Sequence, residues 1–217
     1  MEIVIRYAFF TDFDGTITKC DTCEAMVKTF AQDGWEEINR LWEQKLLSTQ
    51  ECAEQTFSLF TAVPADITRL MATIEIDEYF KDFISLVKKR GEKLTILSDG
   101  YDLCIKTVLM QSGISLPFYA NKLIYSGRFM IECINGGETC SLCGTCKKNL
   151  MEMLREKCET VVYIGDGYSD QCPAEHADIV FAKGSLTSYC NEKSIKYFPF
   201  NNFKDIINSI ESGEAVV

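Results

Sequence analysis

Three apolar runs in this chain each end on an acidic residue beside glycine, and that recurrence restricts the fold more than any other feature. Ile3 to Phe13 runs into Asp14-Gly15-Thr16, Leu94 to Leu97 into Ser98-Asp99-Gly100, and Thr160 to Ile164 into Gly165-Asp166-Gly167. Runs rich in β-branched and aromatic side chains, without a polar residue at every second place, read as strands buried on both faces. Helical stripes separate them. Tyr79, Phe80, Phe83, Ile84 and Val87 share one helix face, closed by Gly91 as a C-terminal cap. A second helix follows Asp99-Gly100 and ends near Gly113, and a third spans Lys147 to Lys157. Strands alternating with helices predict right-handed βαβ units and an α/β fold on a parallel sheet, where ligands collect at the carboxyl ends of the strands.

The stretch from Asp21 to about Arg90 is helical in pattern, with Trp35, Ile38, Leu41, Trp42 and Leu46 at helical spacing and Pro64 opening a further segment. Lys122 to Tyr125 and Arg128 to Cys133 predict a hairpin turning at Ser126-Gly127, followed by a Cys/Gly-rich loop, and Ala177 to Ala182 supplies another strand. With 217 residues, 47% of them hydrophobic, the chain is long enough to bury one substantial core. Its 32 acidic against 22 basic residues argue against a nucleic-acid partner, which demands clustered Lys and Arg. No apolar run reaches the length of a bilayer crossing and the opening residues carry no leader pattern, so no membrane partner and a soluble cytoplasmic protein are expected. Eleven cysteines, an odd number too dilute for a disulfide scaffold, agree with a reducing cytoplasm. The sequence carries no sign of an oligomeric state.

Asp12 and Asp14 lie where a strand's alternation of faces relaxes into a turn, so both carboxyls can face one ligand. One can attack phosphorus as a nucleophile while the other gives a proton to the leaving oxygen and later takes one from water. An Asx-turn closing the strand is the structural alternative. The segment Gly165 to Asp170 is a second acidic group at a strand end, and the two converge if their strands are neighbours. Magnesium would then fit, because it takes a small octahedron of oxygens and needs only two or three from protein. Asp12 and Asp166 are the expected carboxylate ligands and the Asp14 backbone carbonyl the third, with Asp170 supporting them; helix capping by Ser169 and Asp170 is the alternative. Thr16, Ser98, Asp99 and Gly100 are the expected phosphate-binding positions, the last three through a hydroxyl and backbone amides at a helix start. Lys147 could neutralise the phosphoryl oxygens in the transition state, with Lys148 as its rival.

Taken in order, Asp12-Phe13-Asp14-Gly15-Thr16, Ser98, Lys147 and Gly165-Asp166 with Asp170 resemble the four-motif signature of haloacid dehalogenase superfamily phosphatases, over nearly the whole chain. The resemblance implies a Rossmann-like catalytic core from residues 1–17 and 77–217 and a helical cap inserted at 18–76. It also implies Mg2+, an aspartyl-phosphate on Asp12 and a small phosphorylated metabolite as substrate. Within the family the chain looks closest to the phosphoserine phosphatase-like branch. Cys143-Gly144-Thr145-Cys146-Lys147 is similar to the cysteine-flanked lysine of the methionine-salvage 2-hydroxy-3-keto-5-methylthiopentenyl-1-phosphate phosphatases, and phosphoethanolamine/phosphocholine phosphatases carry a like arrangement. Two departures count against phosphoserine as substrate. Asp21 stands where those enzymes have a substrate-facing Glu, and Glu54 to Leu59 lacks the Arg that would clamp a carboxylate.

Cys140, Cys143 and Cys146, with Cys133, have thiolate spacing compatible with a structural zinc ion, against free thiols packed in a loop that positions Lys147. Cys20 and Cys23 have redox-motif spacing outside a redox context, so packing is expected. His176, the single histidine, is expected at the surface. Trp35, Trp42, Phe57 and Phe60 are expected to form the cap's own core, with one of them able to line a pocket. Two other readings stay open: a non-catalytic thiolate-metal-binding protein with vestigial motifs, and an enzyme cutting a carbon–phosphorus or carbon–halogen bond.

Overall fold

The computed structural model describes residues 7–137, 142–155 and 160–214. β1 (Tyr7–Thr11) is followed by five helices, α1 (Thr22–Phe30), α2 (Trp35–Glu43), α3 (Thr49–Ser58), α4 (Pro64–Met71) and α5 (Phe80–Lys89). Next come β2 (Lys93–Tyr101), α6 (Asp102–Gln111), β3 (Phe118–Tyr125) and β4 (Phe129–Glu132). The last third holds α7 (Lys147–Leu154), β5 (Thr160–Gly165), α8 (Gln171–Ala174), β6 (Ile179–Ala182), α9 (Gly184–Lys193), β7 (Phe198–Pro199) and α10 (Phe203–Glu211).

The strands form one sheet in the order β4-β3-β2-β1-β5-β6-β7, parallel except for the hairpin pair β3 and β4. β1 lies between β2 and β5, and every one of its residues is buried, as a run without polar alternation requires. Period two divides its side chains between two layers. Phe9 packs with Phe83 and Val87 of α5 and Phe203 of α10, whereas Ala8 and Phe10 pack with Leu150 and Met151 of α7. The sheet is thus covered on both faces, an α/β fold of Rossmann-like layout.

Local signals set the helix ends. Asp21 caps α1 by accepting from the Glu24 amide, and Ser48 with Glu51 makes a reciprocal capping box at α3. Gly91, Gly113 and Gly127 all take positive φ, ending α5, ending α6 and turning the hairpin as the sequence predicts. The chain leaves β1 and returns to α5 side by side, where Thr18 bridges Ile76 and the Asp77 amide donates to the Ile17 carbonyl at 2.8 Å. Of the predicted helix from Lys147 to Lys157, the described part ends at Leu154 and residues 156–159 lie outside the described set.

The aromatics between α2 and α4 correct an expectation. They do not make a core of their own. Phe57 packs on Tyr101 and Phe129, with ring centroids 5.3 and 5.4 Å away, and Phe60 also meets Phe129. Together with Met26, Ile67 and Met71 they join the same apolar cluster as Phe9 and Ile96. Four short amphipathic helices bury their apolar stripes best on the sheet's own hairpin and α6, because they are too small to enclose a separate interior.

Candidate active site

Sheet register brings the motifs together. Thr11 stands opposite Ile96 on one side and Ile164 on the other, so the next residues along each strand, Asp12, Leu97-Ser98 and Gly165-Asp166, emerge on one edge. The Asp12 amide donates to the Ile164 carbonyl at 2.8 Å, which holds it against the neighbouring strand end. Carboxylate oxygens of Asp12, Asp166 and Asp170 all come within 4.8 Å of one another. The turn after Asp14 depends on glycine: Gly15 has φ +73°, and a Cβ there would stand 2.6 Å from the Asp166 carboxylate.

Lys147, 3% exposed, reaches into this group from the first turn of α7. Its Nζ donates to Asp12 Oδ1 at 2.5 Å, to Asp170 Oδ1 at 2.7 Å and to Ser169 Oγ at 3.0 Å. Lys147 therefore holds the position for which Lys148 was the rival. Asp170 is fully buried and saturated: Oδ1 also accepts from the Tyr163 hydroxyl, and Oδ2 from the amides of Asp166 and Gly167. Thr16 Oγ1 donates to Asp166 Oδ1 at 2.6 Å.

Three carboxylates against Lys147 in contact and Lys183 farther off leave negative charge in excess. Burial first, and then the Asp170 carboxylate, raise Asp12 well above the usual carboxylate range despite the pull of Lys147. Asp166 is pushed up to about 6, by burial and then Asp170. Burial alone would lower the Lys147 ammonium, but Asp12 and Asp170 outweigh it and hold it above the lysine range. The charged lysine is the firmer direction of the two, since two carboxylates contact it directly. An all-oxygen donor set with surplus negative charge fits a hard divalent cation.

Asp14 faces the other way. Its Oδ1 accepts from the amide and hydroxyl of Thr22, and its Oδ2 from the Ser98 hydroxyl at 3.2 Å. Ser98, fully buried, accepts in turn from the Gly100 amide at 2.9 Å. Asp14 is pushed up to about 7, first by burial and next by the Asp21 carboxylate, with the Thr22 and Ser98 hydrogen bonds opposing. The Asp99 side chain has a different occupation from its Ser98 neighbour. The Asp99 carboxylate is committed to Thr49 Oγ1 (2.7 Å), the Thr145 amide (2.7 Å) and Asn121 Nδ2 (3.1 Å).

A cavity of about 370 Å³ opens over Asp12, Asp14 and Asp166. Its far wall comes from α1, α2 and α3 and includes Val27, Trp35, Trp42, Cys52 and Ala53. Trp35 and Trp42 line this space, and Trp42 sets its ring edgewise on Tyr168, centroids 4.9 Å apart. Sequence reasoning missed Thr22, Thr49, Asn121, Tyr163 and Tyr168. Asp21 with Glu24 and Ser48 with Glu51 are legible capping signals that mark Thr22 and Thr49 as helix starts, but nothing in an apolar run such as Thr160 to Ile164 singles out one tyrosine.

Zinc does not fit. Among the described residues Cys133, Cys143 and Cys146 form no three-ligand group, and Cys140 lies outside them. Cys146 is the buried N-cap residue of α7 and makes no side-chain capping bond; a Cβ on Gly137 would stand 3.0 Å from its sulfur. Cys20 and Cys23 are both free; Cys20 is exposed and Cys23 lines the cavity. His176 is exposed and bonds the Cys172 carbonyl. Among the described residues no helix is long and apolar enough to cross a membrane.

A sequence model of haloacid dehalogenase-like hydrolases matches residues 9–175, and the chain belongs to that family. Among curated relatives, a 2-hydroxy-3-keto-5-methylthiopentenyl-1-phosphate phosphatase of Bacillus cereus (strain ATCC 10987 / NRS 248) is 33% identical over 210 residues, spanning 93% of this chain and 94% of that protein. A protein of the same name from Geobacillus kaustophilus (strain HTA426) is 32% identical over 225 residues, spanning 98% and 99%. Among solved structures, a phospho-aspartyl intermediate analogue of phosphoserine phosphatase superposes with TM-score 0.70 at 18% identity, covering 94% of this chain and 98% of that one. Phosphoserine phosphatase from T. onnurineus gives 0.71 at 15% identity, covering 97% of each. The structural likenesses establish the fold.

Proposed function

We propose that the chain, a phosphatase of the haloacid dehalogenase-like family, hydrolyses a small uncharged-alcohol phosphate, with 2-hydroxy-3-keto-5-methylthiopentenyl-1-phosphate as its substrate, through a phosphoryl group carried on Asp12. The observation that carries this reading is the pair of contrasting environments: Asp12 is held by Lys147, while Asp14 lies between Thr22 and Ser98. Asp12 attacks phosphorus and Asp14 gives its proton to the leaving oxygen. Water then attacks the acyl phosphate, losing its proton to Asp14, and Asp12 is released with inorganic phosphate. Lys147 offsets charge on the phosphoryl oxygens, Asp170 aims Lys147, and Thr16, Ser98 and the Gly100 segment receive the phosphate. Asp12, Asp166 and the Asp14 carbonyl would hold magnesium, which would supply Lewis-acid charge to those oxygens.

Residues 18–76 act as a cap on a core of residues 1–17 and 77–217, a division supported by the Thr18–Ile76 bridge at its base. The apolar wall of Val27, Trp35, Trp42 and Cys52 suits a thioether tail, and among the described residues no Arg or Lys lines the cavity to hold a carboxylate. Free thiols at Cys23, Cys52, Cys104 and Cys190 suit a reducing cytoplasm.

Phosphate release from a panel of small monoesters, containing the proposed substrate, phosphoserine and phosphoethanolamine, tests the reading with and without magnesium. Turnover is expected only with the metal, and Asp12→Asn is expected to lose on the order of 10³-fold or more in kcat. Comparable turnover by Asp12→Asn would overturn the mechanism, and preference for phosphoserine would overturn the substrate.

A further inference from the structure

Asp99 follows Ser98 and lines the same cavity as Asp12 and Asp14, and its carboxylate gathers three segments. Oδ1 accepts from the Thr145 amide, just before Lys147, and from Asn121 on β3; Oδ2 accepts from Thr49 at the first turn of α3. Asn121 also donates to the Asp99 carbonyl at 2.6 Å, and Thr145 Oγ1 donates to Asn121 Oδ1 at 3.3 Å. Among the described residues Asp99 has no ion-pair partner, and burial raises its carboxyl. Neutral groups make its hydrogen bonds, with the Lys147 ammonium adding a smaller pull, so losing one of those donors is felt.

Thr49 sits at a crossing. Its hydroxyl receives the Trp42 indole N–H at 3.2 Å while donating to Asp99, and its amide donates to the Leu142 carbonyl at 2.8 Å. Leu142 and Thr145 belong to the segment that leads into Lys147. One cap residue is thus tied twice to the lysine-bearing segment, and Trp42 beside it rests on Tyr168, next to Ser169 and Asp170 that aim the same lysine.

We infer that Asp99 and Thr49 are positioning residues for Lys147: the Thr49 hydroxyl fills Oδ2 and so fixes the Asp99 carboxylate where Oδ1 holds the Thr145 amide, which anchors the segment that carries the lysine. The inference rests on the assignment of Lys147 to phosphoryl transfer.

Thr49→Val removes the hydroxyl, keeps the shape and keeps the amide bond to Leu142; Thr49→Ser restores the hydroxyl. With the Mg2+-loaded full chain, Thr49→Val is expected to lower kcat about tenfold on both the proposed substrate and p-nitrophenyl phosphate, with KM changed less than about threefold. Thr49→Ser is expected to recover most of that rate. Asp99→Asn is expected to fall by a similar factor, and the double variant to be no worse than the poorer single one, as for residues acting as a unit. Wild-type kcat in Thr49→Val would overturn the inference. So would losses that multiply in the double variant, a Thr49→Ser as slow as Thr49→Val, or a loss confined to the larger substrate, which would make these residues substrate contacts. Inactivity of the unsubstituted chain, or activity of Asp12→Asn, would instead sink the underlying phosphatase mechanism.

Discussion

Asp12 and Asp14 differ in what surrounds them far more than in sequence position. Asp12 touches an ammonium, whereas Asp14 touches only neutral donors and looks toward Asp21. Asp14 is pushed up to about 7, burial leading and Asp21 next, so it keeps its proton below that pH and can serve as an acid. The sign follows: the protonated form is the active one in the first step, and kcat limited by leaving-group departure is expected to fall as pH rises through about 7. Asp21→Asn removes one raising cause and still caps α1. Its alkaline limb is therefore expected at lower pH than that of the unsubstituted enzyme, and a pH profile of kcat that does not move would contradict this role for Asp14.

At the scale of elements, the site is a set of strand ends and the turns that leave them. The turn before α7 passes so close to β3 that a Cβ on Gly144 would stand 2.5 Å from Asn121 Oδ1. Asn121 has nowhere to go, since it is fully buried and bonded to Asp99 and Thr145. Gly144→Ala is expected to displace the lysine-bearing segment, costing about 1–3 kcal/mol of stability and lowering kcat in the same variant. Urea unfolding and steady-state rates measure the two effects, and an unaltered kcat would show that the turn tolerates the shift. The same economy of space explains Gly15 against Asp166.

For the whole molecule, the layer of α5 and α10 supports β1 from the side opposite α7. Phe203, fully buried, has ring centroids 4.8 Å from Phe80 and 5.1 Å from Phe83. Phe203→Ala is expected to cost about 3–5 kcal/mol by removing apolar contact and leaving a cavity. None of these aromatic partners belongs to the acidic group, so the fraction that stays folded is expected to keep its kcat. Chemical denaturation together with rates normalised to folded protein checks both halves of that expectation, and a kcat loss in the folded fraction would show that this layer sets the strand ends.

Sequence determined what one strand or one helix can decide alone. Apolar runs without alternation read as buried strands, and acids beside glycine at their ends placed Asp12, Asp14, Asp166 and Asp170 toward one sheet edge, whereas Lys147 was picked out by the family resemblance and not by its position, which Lys148 shares. The stripe Phe203, Ile206, Ile207 and Ile210 after the Asn202 cap was equally readable, though α9, β7 and α10 formed no part of the expectation. Tertiary structure decided the rest. Thr49 meets Asp99 from 50 positions away and Lys147 meets Asp12 from 135, and no local period or cap encodes which distant carboxylate a side chain will find. The aromatics of α2 and α3 were legible as apolar, but the surface that would receive them was not. Burial against Phe129 and Tyr168 is chosen by the area available across the whole fold, a quantity that no short window of residues contains.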